Sequence, residues 1–73
     1  VESTRPLVEA YPNPVSVGGD VRFSERVDVK VVSPSGAVLR MEKDVDRMNT
    51  SNLSPGVYFF QIGENQTVRI LII

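Results

Sequence analysis

Five prolines spread over 73 residues limit the fold more than any other feature of this chain. Proline breaks helix interiors and donates no hydrogen bond to a β-ladder. Valine is the commonest residue, and its branched side chain suits a pleated sheet better than a helix. The chain is therefore predicted to be all-β, in short strands separated by the prolines. They stand at Pro6, Pro12, Pro14, Pro34 and Pro55.

Alternation of apolar and polar residues places the strands. Val27, Val29 and Val31 alternate with Asp28 and Lys30, which is the period of a half-buried strand. The same reading, bounded by turn residues, predicts about seven strands. These are Leu7–Tyr11, Val15–Val17, Asp20–Ser24, Val27–Val32, Ala37–Lys43, Val57–Ile62 and Gln66–Ile73. The polar stretch Asp44–Asn52 reads as either an edge strand or a loop.

The predicted strands also divide residues between the core and the surface. On the last strand, Arg69, Leu71 and Ile73 are expected to be more exposed than their neighbours. Phe59 is the one aromatic ring expected at the surface. The residues predicted to face the core are Val21, Phe23, Val27, Val29, Val31, Tyr58, Phe60, Ile62, Val68, Ile70 and Ile72.

Many short strands joined by Gly/Pro turns predict an immunoglobulin-like sandwich of antiparallel sheets. The turn Ser33-Pro34-Ser35-Gly36 predicts a β-hairpin, in which Gly36 takes a positive φ. Leu53 to Tyr58 resembles a tyrosine corner, where a tyrosine early in a strand bonds to backbone upstream of it.

Composition excludes several classes of function. The chain has no cysteine and no histidine, so it lacks the commonest general base and the commonest metal ligands. A net charge of −1 gives no basic footprint for nucleic acid. Asp44 and Asp46 form at most a weak calcium site, and a solvated strand edge is the favoured reading. We therefore expect no catalysis, no metal and no cofactor.

The chain is long enough for one domain and no second core. Val1 is not a natural start, so we expect residues 1–6 to be the remnant of a linker and residues 7–73 to be the domain. The apolar run at the far end is expected to be the end of the translated product.

Several short motifs follow one another in a fixed order. The order opens with Tyr-Pro-Asn-Pro, passes a hairpin glycine and a Leu-x-x-Gly-x-Tyr block, and closes on an apolar strand. Together they resemble the C-terminal sorting domain, type A, of the type IX (Por) secretion system of Bacteroidetes. The matching residues are Tyr11, Pro12, Asn13, Pro14, Gly36, Leu53, Gly56 and Tyr58, with Val68, Arg69, Ile70, Leu71, Ile72 and Ile73 in the terminal strand.

The resemblance implies a conformational function rather than a chemical one. Such a domain follows its cargo in the same chain, folds in the periplasm and is recognised by the outer-membrane translocon. Shuttle and sortase proteins then deliver the cargo to the cell surface or release it. The terminal strand, residues 68–73, is expected to carry the sorting signal. Two departures from the family are Ser33 in place of aspartate and Arg69 as the only basic residue of that strand.

The sequence is also compatible with two other functions. A fibronectin-like or carbohydrate-binding accessory module would have a similar sandwich, although the absence of tryptophan argues mildly against sugar binding. A small structural domain of a surface adhesin is the other. Exposed strand edges also suggest a weak dimer.

Overall fold

The computed structural model describes residues 7–73, and within them the fold is an antiparallel β-sheet. This part of the chain forms no helix, and so none that could cross a membrane. The strands are β1 (Ala10–Tyr11), β2 (Asp20–Val32), β3 (Val38–Asn49), β4 (Gly56–Ile62) and β5 (Gln66–Ile72).

The described residues form five strands, so the prediction of about seven short ones was wrong. The predicted strands Asp20–Ser24 and Val27–Val32 are both parts of β2, because the polar residues between them form a bulge instead of a break. There the pairing passes from Arg22 opposite Arg47 to Val27 opposite Val45. Four residues of β2 thus face a single residue of β3, and a bulge of this kind bends a strand without ending it.

The other boundary errors have similar causes. Ala37–Lys43 and most of the polar stretch 44–52 join into β3, whose register shifts beside Asp44. The first predicted strand shrinks to Ala10–Tyr11. Val15–Val17 forms only an isolated parallel bridge, between Val15 and Ile72.

Strand β2 is the centre of the sheet. It pairs with β3 over almost its whole length, with β1 near its start and with β4 near its end, and β5 lies on the far side of β4. The bulges fold the two-stranded ribbon of β2 and β3 back on itself. The Arg40 guanidinium donates a 2.6 Å hydrogen bond to the carbonyl of Asn49, nine residues along the same strand. Nine extended residues would span roughly 30 Å, so β3 must bend sharply.

The bend brings the two halves of the sheet around one core. Phe23 from the first half of β2 and Phe60 from β4 have ring centroids 6.4 Å apart. The core positions predicted from alternation are confirmed, with Val27 and Val68 only partly buried. The buried apolar residues are Val15, Val21, Phe23, Val29, Val31, Met48, Leu53, Tyr58, Phe60, Ile62, Ile70 and Ile72.

The predicted hairpin between β2 and β3 is confirmed. The Gly36 N–H donates to the Ser33 carbonyl (2.9 Å), and Gly36 has a φ of 96°, which a side chain would disfavour. The Ser33 hydroxyl accepts a 3.1 Å hydrogen bond from the Ala37 N–H. A serine therefore supplies a local acceptor at the position where the resemblance implies an aspartate.

The tyrosine corner is also confirmed. The Tyr58 hydroxyl donates a 2.7 Å hydrogen bond to the Ser54 carbonyl, four residues upstream, and the ring is buried. This bond ties the start of β4 to the turn that precedes it.

Replacing Tyr58 with phenylalanine should lower the free energy of unfolding by about 1–2 kcal/mol, because the Ser54 carbonyl loses its donor in a part-buried site. The matched control is Tyr11→Phe, since Tyr11 is 48% exposed and should change stability by less than about 0.5 kcal/mol. Urea unfolding of the two variants measures both effects. Equal stability of the two variants would contradict the role of the corner.

Candidate recognition surface at the terminal strand

Strand β5 has one face in the core and one face outside. Ile70 and Ile72 are buried, whereas Arg69 and Ile73 are exposed and Leu71 is half-buried. Val68 packs partly against the core. The predicted alternation along the terminal strand is therefore correct, and an outward row of one cation and two aliphatic side chains results.

Residues from Asn13 onward cover the outer edge of β5. The Asn13 side-chain amide donates to the Arg69 carbonyl (2.7 Å), and its oxygen accepts from the Leu71 N–H (3.0 Å). A carboxamide carries the same donor and acceptor as a peptide group. Pro12 and Pro14 on either side have no N–H to offer. The Asn13 side chain therefore occupies the place of a neighbouring strand.

Two valines continue the pairing with main-chain bonds. The Val15 N–H donates to the Leu71 carbonyl, the Ile73 N–H donates to the Val15 carbonyl, and the Val17 N–H donates to the Ile73 carbonyl, all at 2.9 Å. Every outward main-chain group from the Arg69 carbonyl to the Ile73 carbonyl thus has a partner. We call residues 13–17 the covering segment.

A second carboxamide lies at the other end of β5. The Val8 N–H donates to the Gln66 side-chain oxygen (3.0 Å), and the Gln66 amide donates back to the Val8 carbonyl (2.7 Å). Between Val8 and Asn13 the chain leaves β5 and pairs with β2, where Ala10 lies opposite Phe23. The N-terminal segment therefore closes the open side of the bent sheet.

The motif residues predicted from the sequence fall into three places. Gly56 of β4 pairs with Ile72, and Asn13 bonds to Arg69 and Leu71 on the other edge, so the third and first motif blocks flank the end of β5 on opposite edges. Leu53 and Tyr58 belong to the core beside it. Gly36 shapes the β2–β3 hairpin and is not a pairing partner of β5.

The sequence reading did not identify the roles of Asn13 and Gln66 in holding this edge. The sequence does contain a signal for the role of Asn13. In the stretch Pro12-Asn13-Pro14, the Asn13 amide is the only side chain that can replace the N–H groups that the two prolines lack. Gln66 carries no such signal, since its partner Val8 is 58 residues away. The surface aromatic was also misplaced, because Phe59 is half-buried while Tyr11 is exposed.

The acidic residues near the bulge serve the local backbone. Arg26 donates to the Asp44 carboxylate (3.0 Å) and to its carbonyl (2.7 Å), and the hydrogen bond and charge of Asp44 raise the pKa of Arg26. Asp28 accepts from the Asp44 N–H, and Asp44 has a φ of 55°. These contacts stabilise the turned backbone at the bulge. No cluster of three or more carboxylates suited to a metal occurs among residues 7–73.

Asn13→Ala should lower the free energy of unfolding by about 1–2 kcal/mol, because two hydrogen bonds to the main chain of β5 are lost. Asn52→Ala is the matched control, since Asn52 is exposed and its side chain makes no hydrogen bond within residues 7–73. Urea unfolding compares the two. Identical midpoints for both variants would show that the Asn13 contacts do not stabilise the fold.

Comparison with known proteins agrees with this arrangement of motifs. Residues 9–73 match the family described as the secretion system C-terminal sorting domain. Neither the curated proteins nor the solved structures contain a match. Domains of this family are sorting signals rather than enzymes, and the proteins that carry them interact with the type IX machinery and are exported to the cell surface or secreted. The chain belongs to the family of type IX secretion C-terminal sorting domains.

Proposed function

We propose that this domain directs its parent protein through the type IX outer-membrane translocon, and that β5 with Ile73 carries the signal. The observation that carries the proposal is the family match over residues 9–73. The geometry supports it, because the terminal strand lies at one side of the sheet and shows an outward row of side chains.

In this proposal the domain acts by shape and performs no reaction. The cargo precedes it in the same chain, the folded domain crosses the periplasm, and outer-membrane shuttle and sortase proteins bind it before the cargo reaches the surface. We assign the reading of the signal to Arg69, Leu71 and Ile73. Ile73 is 59% exposed and extends the outward aliphatic surface of the half-buried Leu71 to the end of the strand.

The predicted immunoglobulin-like sandwich remains part of this proposal. Its support is the bend of the β2–β3 ribbon and the contact of Phe23 with Phe60, which lie in the two halves of the bent sheet. A folded scaffold of this kind would hold the outward row of β5 in one geometry. A recognition protein could then bind it without first ordering it, which lowers the entropic cost of binding.

The predicted weak dimer also remains a proposal, and β3 is the edge that suits it best. Leu39 and Met41 are 45% and 61% exposed there. Bulges interrupt the strand near both residues, however, and bulged edges pair poorly with other chains. Self-association through this edge is therefore expected to be weak.

An export assay tests the sorting function. A fluorescent protein with an N-terminal secretion signal is fused to this domain in a type IX-competent bacterium. The wild-type fusion should reach the surface or the medium. Deletion of residues 68–73, and the double variant Leu71→Ser/Ile73→Ser, should leave the reporter in the periplasm.

The matched control is Leu39→Ser/Met41→Ser, which replaces two exposed apolar residues of β3 and removes at least as much exposed apolar surface. This variant should be exported like the wild type. Circular dichroism of the purified domains checks that both double variants are folded. Normal export of a folded Leu71→Ser/Ile73→Ser variant would show that the outward row of β5 does not carry the signal. Retention of the wild-type fusion in the periplasm would contradict the sorting function itself.

A further inference from the structure

The covering segment, residues 13–17, is only weakly held to the outer edge of β5. It runs parallel to β5, and parallel pairing is slightly less stable per residue than antiparallel pairing. Asn13, Pro14, Ser16 and Val17 are exposed, and only Val15 is buried. Two of its five hydrogen bonds to β5 and Ile73 come from the Asn13 side chain, which is itself at the surface.

We propose that the outer edge of β5 is a strand-addition surface for an extended segment of the export machinery, and that residues 13–17 hold this edge closed until that segment displaces them. The proposal rests on the sorting function and adds to it a binding mode. Recognition would then use the main chain of β5 as well as its outward side chains.

The exchange of one strand for another would cost few hydrogen bonds. An incoming strand could replace all five bonds between the Arg69 carbonyl and the Ile73 carbonyl with main-chain groups of its own. It could also reach the Thr67 N–H and carbonyl and the Arg69 N–H, for which residues 7–73 provide no partner. The partner gains a longer ladder than the covering segment makes.

The position of Val15 defines the side chain that the partner must supply. Val15 is 2% exposed and lies opposite Ile72, which is 1% exposed. A strand that displaces the covering segment empties this site, and an aliphatic residue of similar size must fill it. In strand addition the main chain provides affinity and such side-chain sites provide specificity. The expected partner is therefore an extended segment with a valine-sized residue at this register.

The covering segment also protects the outer edge of β5 before the partner binds. An open edge strand with aliphatic side chains pairs with other chains and aggregates. The covering segment satisfies the main-chain groups beside Leu71 and Ile73 and so prevents this pairing.

Hydrogen exchange of the isolated chain tests whether the covering segment opens by itself. The Leu71 and Ile73 amides bond to this segment, whereas the Ile70 and Ile72 amides face β4. If the segment opens alone, Leu71 and Ile73 should exchange about tenfold faster than Ile70 and Ile72, because local opening requires less free energy than global unfolding.

A core variant separates local opening from global unfolding. Val31→Ala should speed exchange at Ile70 and Ile72 and leave Leu71 and Ile73 unchanged, since Val31 lies in the core and does not pair with residues 13–17. Low urea should have the same selective effect on the wild type. Equal acceleration of all four amides would overturn the proposal.

A disulfide tests whether opening is needed for export. Val15→Cys/Ile72→Cys joins two bridge partners, and adjacent strands lie ~4.8 Å apart, within the ~4.4–6.8 Å that a disulfide spans between Cα atoms. The chain has no other cysteine. In the reporter fusion, the two redox forms of this one variant are compared, so that the effect of the substitutions themselves cancels: the reduced form should be exported more than the oxidised form, which should stay in the periplasm.

Export of the oxidised form, shown by a non-reducing gel of the surface fraction, would overturn the proposal. If neither redox form is exported, the exchange experiment alone decides it. Failure of the wild-type fusion to be exported would contradict the sorting function and would leave the exchange result to judge the covering segment separately.

Discussion

The bend in the β2–β3 ribbon is the constraint on which the rest of this domain depends. A chain of 73 residues without cysteine must build its stability from one small core, and a domain of this size buries only about 60% of its unfolded surface. A flat five-stranded sheet would leave one apolar face in water. The bulges at residues 23–26 of β2 and beside Asp44 of β3 fold the sheet over, so that Phe23 and Phe60 share one interior.

Bending the sheet leaves one side open, and the N-terminal segment closes it. Its contacts to β5 use side-chain amides where a regular ladder is not available: Asn13 beside Arg69 and Leu71, and Gln66 beside Val8. The start of the described chain and the terminal strand are therefore held together. This arrangement places the proposed sorting signal directly beside the segment that would lead to the cargo.

Local signals predicted much of the fold. The alternation from Val27 to Val31 indicated the central strand, Gly36 indicated the hairpin, and Tyr58 indicated the corner, because each depends on residues close together in the chain. The strand boundaries were wrong where charged residues continue a strand through a bulge. Polar residues around Arg26 and Asp44 look like loops, and only the register against a distant partner shows that they are extended.

The sequence by itself determined that the chain is all-β, which residues of the terminal strand face inward, and to which family it belongs, because periodicity and motif order are local properties of the chain. The tertiary structure decided which groups cover the outer edge of β5. That outcome depends on pairs such as Asn13 and Leu71, 58 residues apart, whose meeting follows from the bend of the sheet. Main-chain groups at a strand edge accept any neighbour with a matching donor and acceptor, so no local pattern can specify the one that arrives.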